Sequence, residues 1–290
     1  MLPKHHKSSF FLEAGLFDNL SRFVELEKRI SELPTTVDVG DAFEVFAEAY
    51  SFTQKIEQAE EVWPFKSVPS DIKEELSLGT TQKDMGVDGV YHTISDGFNA
   101  YQAKFRTNRK PLTWSEISTF MGLTDKVDQR VLFTNSNDIT SVINERSDFH
   151  CIRGNDLDRL DKNDFDTIVK WLQSGIVEVE RKTPLPHQVD AINDILTALK
   201  IENRATALMA CGTGKTLVAL WVSEQMDCQH ILVLLPSLTL VRQTLHEWLK
   251  ETEWLHLSYL CVCSDPTVAG KELDSIKVNQ SDLDFAVTTE

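Results

Sequence analysis

The sequence predicts an α/β protein of two principal domains, and three observations carry that expectation. In the first half, two β-like runs flank Ser95-Asp96-Gly97, with helical periodicity before and after them. In the second half, helical and strand-like runs alternate regularly, which is how a parallel sheet of βαβ units reads. The length, 290 residues, accommodates two hydrophobic cores. Hydrophobic residues make up 41% and charged residues 26%, the balance of a globular chain, and no apolar run approaches the roughly twenty residues of a membrane span. The expected division is a helical segment over 1–36, a first domain over 37–180 and an incomplete second domain over 181–290.

Taken in order, Leu16, Phe17, Leu20, Phe23, Val24 and Ile30 recur at helical spacing, predicting a helix over 10–33 that ends at Pro34. Glu27 interrupts that apolar stripe. A second helix is expected from Asp38 or Asp41 through Phe43, Phe46, Ala47 and Tyr50. Residues 87–94 and 98–105 are predicted strands of a hairpin turned by Asp96-Gly97. A helix over 115–121, a strand at Val131-Leu132-Phe133 and a helix over 155–173 follow. Two prolines between Lys182 and Pro186 mark a linker or domain entrance. Beyond them the pattern predicts helices at 187–200, 215–226 and 238–250 alternating with strands at 205–210, 230–235 and 257–263.

The five cysteines are odd in number and scattered without a CxxC pair, a pattern of reduced thiols in a cytoplasmic protein. Cys261 and Cys263 alternate within an apolar run and are expected on one strand face. The basic start, Met1 to Lys7, is followed by Glu13 and Asp18 without a small-residue cleavage pattern, which argues against a secretory leader.

The first chemical signal is Gly212-Thr213-Gly214-Lys215-Thr216, placed between a strand-like and a helix-like run. This is the phosphate-loop arrangement: glycines let the backbone approach phosphates, and the helix N-terminus faces the anion. Lys215 is expected on the β- and γ-phosphates of ATP and Thr216 on Mg²⁺. Met209 stands where the strict motif has its first glycine. The segment Met209 to Thr216 resembles motif I of the superfamily 2 helicases and translocases. Pro186-His187-Gln188 resembles their glutamine motif, which implies Gln188 as the adenine contact. Leu235 to Gln243 resembles motif Ia, which lies on the nucleic-acid backbone. No Asp-Glu pair follows Lys215, and Asp265 imitates only half of one, so ATP binding without hydrolysis is expected of residues 181–290, a partial RecA-like lobe with a parallel sheet.

The second signal lies in the hairpin. Residues two apart in a strand share a face, so Gln102 and Lys104 point together, and the hairpin can bring Asp88 beside them. Such a group can hold one divalent metal and orient a water. The set resembles the PD-(D/E)XK nucleases, most closely the Mrr-like restriction endonucleases, in which Gln-x-Lys often replaces Glu-x-Lys. The resemblance runs from about residue 38 to 160 and includes Thr113 to Glu116 and Leu132 to Ser136. It implies a restriction-endonuclease-like core with Asp88 as metal ligand, Gln102 as neutral second ligand and Lys104 as the water-orienting or charge-stabilising residue. It also implies a helical glutamate, for which Glu44 is the best match and Glu48, one turn on, the reserve.

Net charge, −16, excludes a chain that binds nucleic acid by overall charge alone. A local strip with Lys104, Arg106, Arg109 and Lys110 is the expected phosphate-contacting surface. The combined expectation is a Mg²⁺-dependent DNA endonuclease coupled to an ATP-driven motor, as in Type I and Type ISP restriction enzymes, with a methyltransferase or specificity module as partner. The competing expectation is a module that tethers DNA or a protein beside the motor without cleaving.

Overall fold

The computed structural model describes residues 1–79, 86–143, 146–226, 228–255, 257–263 and 283–288. Asp84, Met85 and Asp265 lie outside the described residues. The chain divides into two units, one comprising Met1–Val179 with Ser258–Glu290 and the other Glu180–Leu257.

The first unit opens with α1 (Ser8–Glu13) and α2 (Phe23–Ser31) rather than one helix over 10–33. Gly15 and Asn19 take the left-handed conformation, with φ of 72° and 51°, and this breaks the helix. The apolar stripe is nevertheless used: Phe17, Phe23, Leu26 and Ile30 are all buried. α3 (Thr36–Thr53) follows, capped by Thr35, whose hydroxyl accepts from the Asp38 N–H. Then come β1 (Ala59–Pro64), α4 (Ser70–Glu75), β2 (Gly89–Thr93) and β3 (Phe98–Lys104). After these lie α5 (Trp114–Leu123), β4 (Gln129–Thr134), β5 (Phe149–Ile152), α6 (Gly154–Leu157) and α7 (Lys162–Ser174). The helix expected over 155–173 is therefore two, the second started by Asp161, whose carboxylate accepts from the N–H groups of Asn163 and Asp164.

The five strands lie in chain order, β1 to β5; β1–β2 and β2–β3 are antiparallel, β3–β4 and β4–β5 parallel. Asp96, at φ 66°, supplies the tight turn between β2 and β3, as the Asp-Gly pair predicts. Alternation then sorts the side chains. Val90, Ala100, Leu132 and Cys151 join Ile117, Phe120 and Met121 of α5 in one core. Tyr101 and Phe133 point the other way, where Tyr50 of α3 meets Phe133 edge-on at 5.3 Å. Trp171 of α7 stacks on Phe52 at 5.2 Å and closes that layer.

Strands β6 (Cys261–Val262) and β7 (Val287–Thr288) pair in parallel. Cys261 and Cys263 are buried on one face with Val262 exposed between them, and burial pushes the Cys261 thiol up to about 12. This first unit also anchors its own end: the Tyr259 hydroxyl donates to the Ile56 carbonyl at 2.6 Å, and the Tyr259 N–H to the Gln58 amide oxygen at 3.0 Å.

The second unit contains α8 (Pro186–Leu199), α9 (Lys215–Gln225) and α10 (Leu238–Glu251), close to the predicted helices. The runs at 205–210 and 230–235 make no ladder among the described residues, contrary to the strand expectation. Their side chains stand open, Leu208 at 94% and Leu232 and Leu234 at 81% exposure. A run rich in branched apolar residues becomes a strand only through its neighbours, and parallel neighbours come from distant sequence. Of the two readings of the Pro-rich segment, a domain entrance fits, because its start is tied down. The Lys182 N–H donates to the Glu251 carboxylate at 2.7 Å, and Arg181 donates to the Glu251 carbonyl at 2.7 Å.

Candidate functional site

The hairpin register assembles the first site. Gly89 faces Tyr101 and Val90 faces Ala100, so continuing the antiparallel pairing puts Asp88 opposite Gln102. Directly opposed residues share a face, and Lys104 is two further along β3, so all three side chains belong to one side of the sheet. The Asp88 carboxylate accepts from the Ala103 N–H at 2.7 Å, and the Asp88 N–H donates to the Tyr101 carbonyl at 3.0 Å. Gln102 is 2% exposed. Its amide nitrogen donates to the Gly86 carbonyl at 2.6 Å, which fixes the amide's orientation. Its oxygen is then buried without a hydrogen-bond partner. Such an atom carries a desolvation cost of about 1–3 kcal/mol, and a bound cation would relieve it.

Glu44 and Glu48 come from α3, on the face that Tyr101 occupies. Glu48 is fully buried and accepts from two successive backbone N–H groups, Lys4 at 2.6 Å and His5 at 3.0 Å. Burial raises its carboxyl above the ordinary range, against those two bonds. Glu44 is half-buried, with the His5 Nε2 at 3.3 Å. The Tyr101 ring links the two groups. It lies over Gly89, where a Cβ would sit 2.3 Å from the ring, so only glycine fits there. Burial raises the phenol, and the charges of Glu48, Glu44 and Asp88 raise it further. The structure brings Glu44 and Glu48 together with Tyr101 on the α3 face and Asp88 together with Gln102 on the other.

The basic strip is a correction. Arg109 pairs with Glu27 at 2.8 Å and Asp158 at 2.6 Å, and Arg106 pairs with Glu116 at 2.5 Å. Those hydrogen bonds raise Arg109 above its ordinary value. Both arginines are committed internally because the loop after β3 must be held, which leaves Lys104 and Lys110 without ion pairs among the described residues.

In the second unit, Gly212 and Gly214 have φ of 77° and 80°, a conformation that favours glycine, and α9 starts at Lys215 immediately after. The Lys215 ammonium donates to the carbonyls of Met209 at 3.2 Å and Ala210 at 3.0 Å, and so lies across its own loop. Gln188 holds that loop from α8: its nitrogen donates to the Thr213 carbonyl at 3.0 Å and its oxygen accepts from the Leu185 N–H at 2.8 Å. Space is open around Gly212 on the loop's outer side. Trp248 of α10 donates to the Thr216 carbonyl at 2.9 Å and fixes the first turn of α9.

Sequence reasoning missed His5, Asp41 and Tyr101. His5, Asp41 and Glu44 each bring one ligand-type atom within 4.8 Å of the others. The only local trace was Lys4 to Lys7, which reads as a basic terminus.

Comparison with known proteins bears on the two segments of the chain. Residues 53–167 match the family described as "Restriction endonuclease", and residues 181–287 match "Type III restriction enzyme, res subunit". No curated protein matches the chain. A solved structure described as "ATP-dependent Type ISP restriction-modification enzyme LlaBIII bound to DNA" shares the fold, with TM-score 0.61 and 24% identity over 78% of this chain. This chain spans 15% of that one. A restriction-endonuclease-type segment is thus followed here by a helicase-type segment.

Proposed function

We propose that the chain is a metal-dependent DNA endonuclease joined to the start of an ATP-driven translocase, acting in restriction of foreign DNA in the cytoplasm. The observation that carries this reading is the Gln102 amide, locked by Gly86 with its oxygen buried and unpartnered beside Asp88. Asp88 and Gln102 would hold Mg²⁺, and Glu44, which α3 carries on the other face of the sheet, the face of Tyr101, would have to add its carboxylate from that side. When bound, the ion lowers the pKa of a water and stabilises charge on the phosphate. Lys104, on the same face, orients that water or meets the developing charge. A neutral amide binds a cation less strongly than a carboxylate, so the site depends on Asp88 for charge.

In the second unit, Lys215 would exchange its loop carbonyls for ATP phosphates, Gly212, Thr213 and Gly214 would cradle them, and Thr216 would hold Mg²⁺. Gln188 meets the loop rather than open solvent, and would report nucleotide at Thr213 besides contacting adenine. DNA is the substrate, and a methyltransferase or specificity module the partner. The tethering alternative draws support from the committed arginines, since few cations remain for phosphate.

The test uses supercoiled plasmid with Mg²⁺ or Mn²⁺ and the parent beside Asp88→Ala and Lys104→Ala. The parent should nick or linearise it, and either variant should be slower by on the order of 100-fold or more. Plasmid intact with all three proteins under both metals would favour the tether.

A further inference from the structure

Residues 4–7 come from the far end of the sequence, yet they enclose the glutamates of α3. Glu48 grips the segment's backbone through the Lys4 and His5 N–H groups. The Lys4 ammonium is held at 2.6 Å from Glu61 and 4.7 Å over the Trp63 ring. The Lys7 ammonium lies 2.8 Å from Asp38 and 2.7 Å from Asp41. Anchored at both ends, the segment presses the His5 ring, 3% exposed, against Glu44.

The ring's tautomer follows from its other nitrogen. Nδ1 accepts the Lys7 N–H at 3.3 Å, so the proton resides on Nε2 and points at Glu44. His5, Asp41 and Glu44 are grouped as a metal site might be. A metal-bound histidine donates from its second nitrogen, however, whereas here that nitrogen accepts. The Lys7 ammonium also supplies a positive charge at Asp41 already. A donor to Glu44, not a cation ligand, is what this geometry builds.

We infer that His5 is a positioning residue, which fixes the Glu44 carboxylate through Nε2–H, and that residues 4–7 form a wall of the candidate nuclease centre. The inference rests on the assignment of Glu44 to that centre. A hydrogen bond to a ligating carboxylate holds its orientation and tunes its affinity for metal without removing its charge, and losing such a partner costs about 10- to 100-fold in metal affinity.

The experiment measures Mn²⁺ binding by calorimetry, alongside plasmid cleavage, for the parent, His5→Ala, His5→Gln and Asp88→Ala. His5→Ala should weaken Mn²⁺ binding about 10-fold or more, and His5→Gln, which keeps a donor, should recover most of the loss. Should His5→Ala fail to fold, His5→Leu, which fills the space without a donor, takes its place and should bind Mn²⁺ about 10-fold more weakly than His5→Gln. Parent-like binding by His5→Ala, or Gln no better than Ala, overturns the positioning role and leaves the nuclease reading standing. A parent that binds Mn²⁺ in a His5-dependent way without cutting DNA upholds the role and sinks the nuclease reading. A parent that binds no Mn²⁺ removes both.

Discussion

His5 shows how much a residue's meaning depends on what folds over it. Its ring is pushed below the ordinary histidine range by burial, with Lys66 and Lys7 adding to the effect and Glu48 and Asp41 opposing it. A neutral native ring against an unfolded ring of pKa about 6.5 means that the unfolded chain takes up the extra proton. Stability should therefore fall as pH drops through 6.5 towards the native value, by at most about 1.4 kcal/mol per pH unit, and be unaffected by this group above it. Urea melts of the parent and His5→Gln between pH 5 and 8 check this: the variant should lack that part of the slope. None of this was legible locally, since Lys-His-His-Lys at a terminus gives no sign of a carboxylate 39 residues away. Asp88, Gln102 and Lys104 were legible, because strand alternation and an Asp-Gly turn fix their side and register within twenty residues.

At the level of elements, Glu27 resolves the gap in the apolar stripe. Its carboxylate accepts from Arg109 and from the Asn135 amide at 2.7 Å, and the Asn135 oxygen accepts from the Arg106 N–H at 2.6 Å. One buried-edge carboxylate thus ties α2 to the loops following β3 and β4, just beyond Lys104. Glu27→Ala should destabilise by about 1–3 kcal/mol in a urea melt, since Arg109 and Asn135 lose a shared acceptor. It should also slow cleavage if the end of β3 loosens. The stripe's interruption was visible in the sequence, but its partners were not, because polar hubs join segments with no common period. The long helices α3, α5, α8, α9 and α10 were legible from periodicity and caps. β1 and β5 were not: Ala59-Glu60-Glu61-Val62-Trp63-Pro64 carries two acids and a proline at a sheet edge, and β5 is four residues long.

Over the whole molecule, acidity and committed arginines limit how DNA can be held. With Lys104 and Lys110 the cations left unpaired beside the site among the described residues, the salt dependence of DNA retention should be shallow. A slope of log K against log salt near −2 is expected in a filter or fluorescence titration, and a slope steeper than about −5 would point to another, more basic surface. The fold class was legible at this scale from the two patterns of alternation, hairpin and βαβ. The pairing of 205–210 and 230–235 was not, since a sequence shows that a run wants neighbours without showing whether it has them. Those open leucines have a consequence at the bench. Mutual repulsion from a charge of −16 keeps molecules apart in dilute neutral buffer. Acid or concentrated sulfate removes that barrier or strengthens apolar burial, and the bare leucine side chains then become places where one molecule adheres to the next. Shelf life and crystallisation behaviour will be governed there.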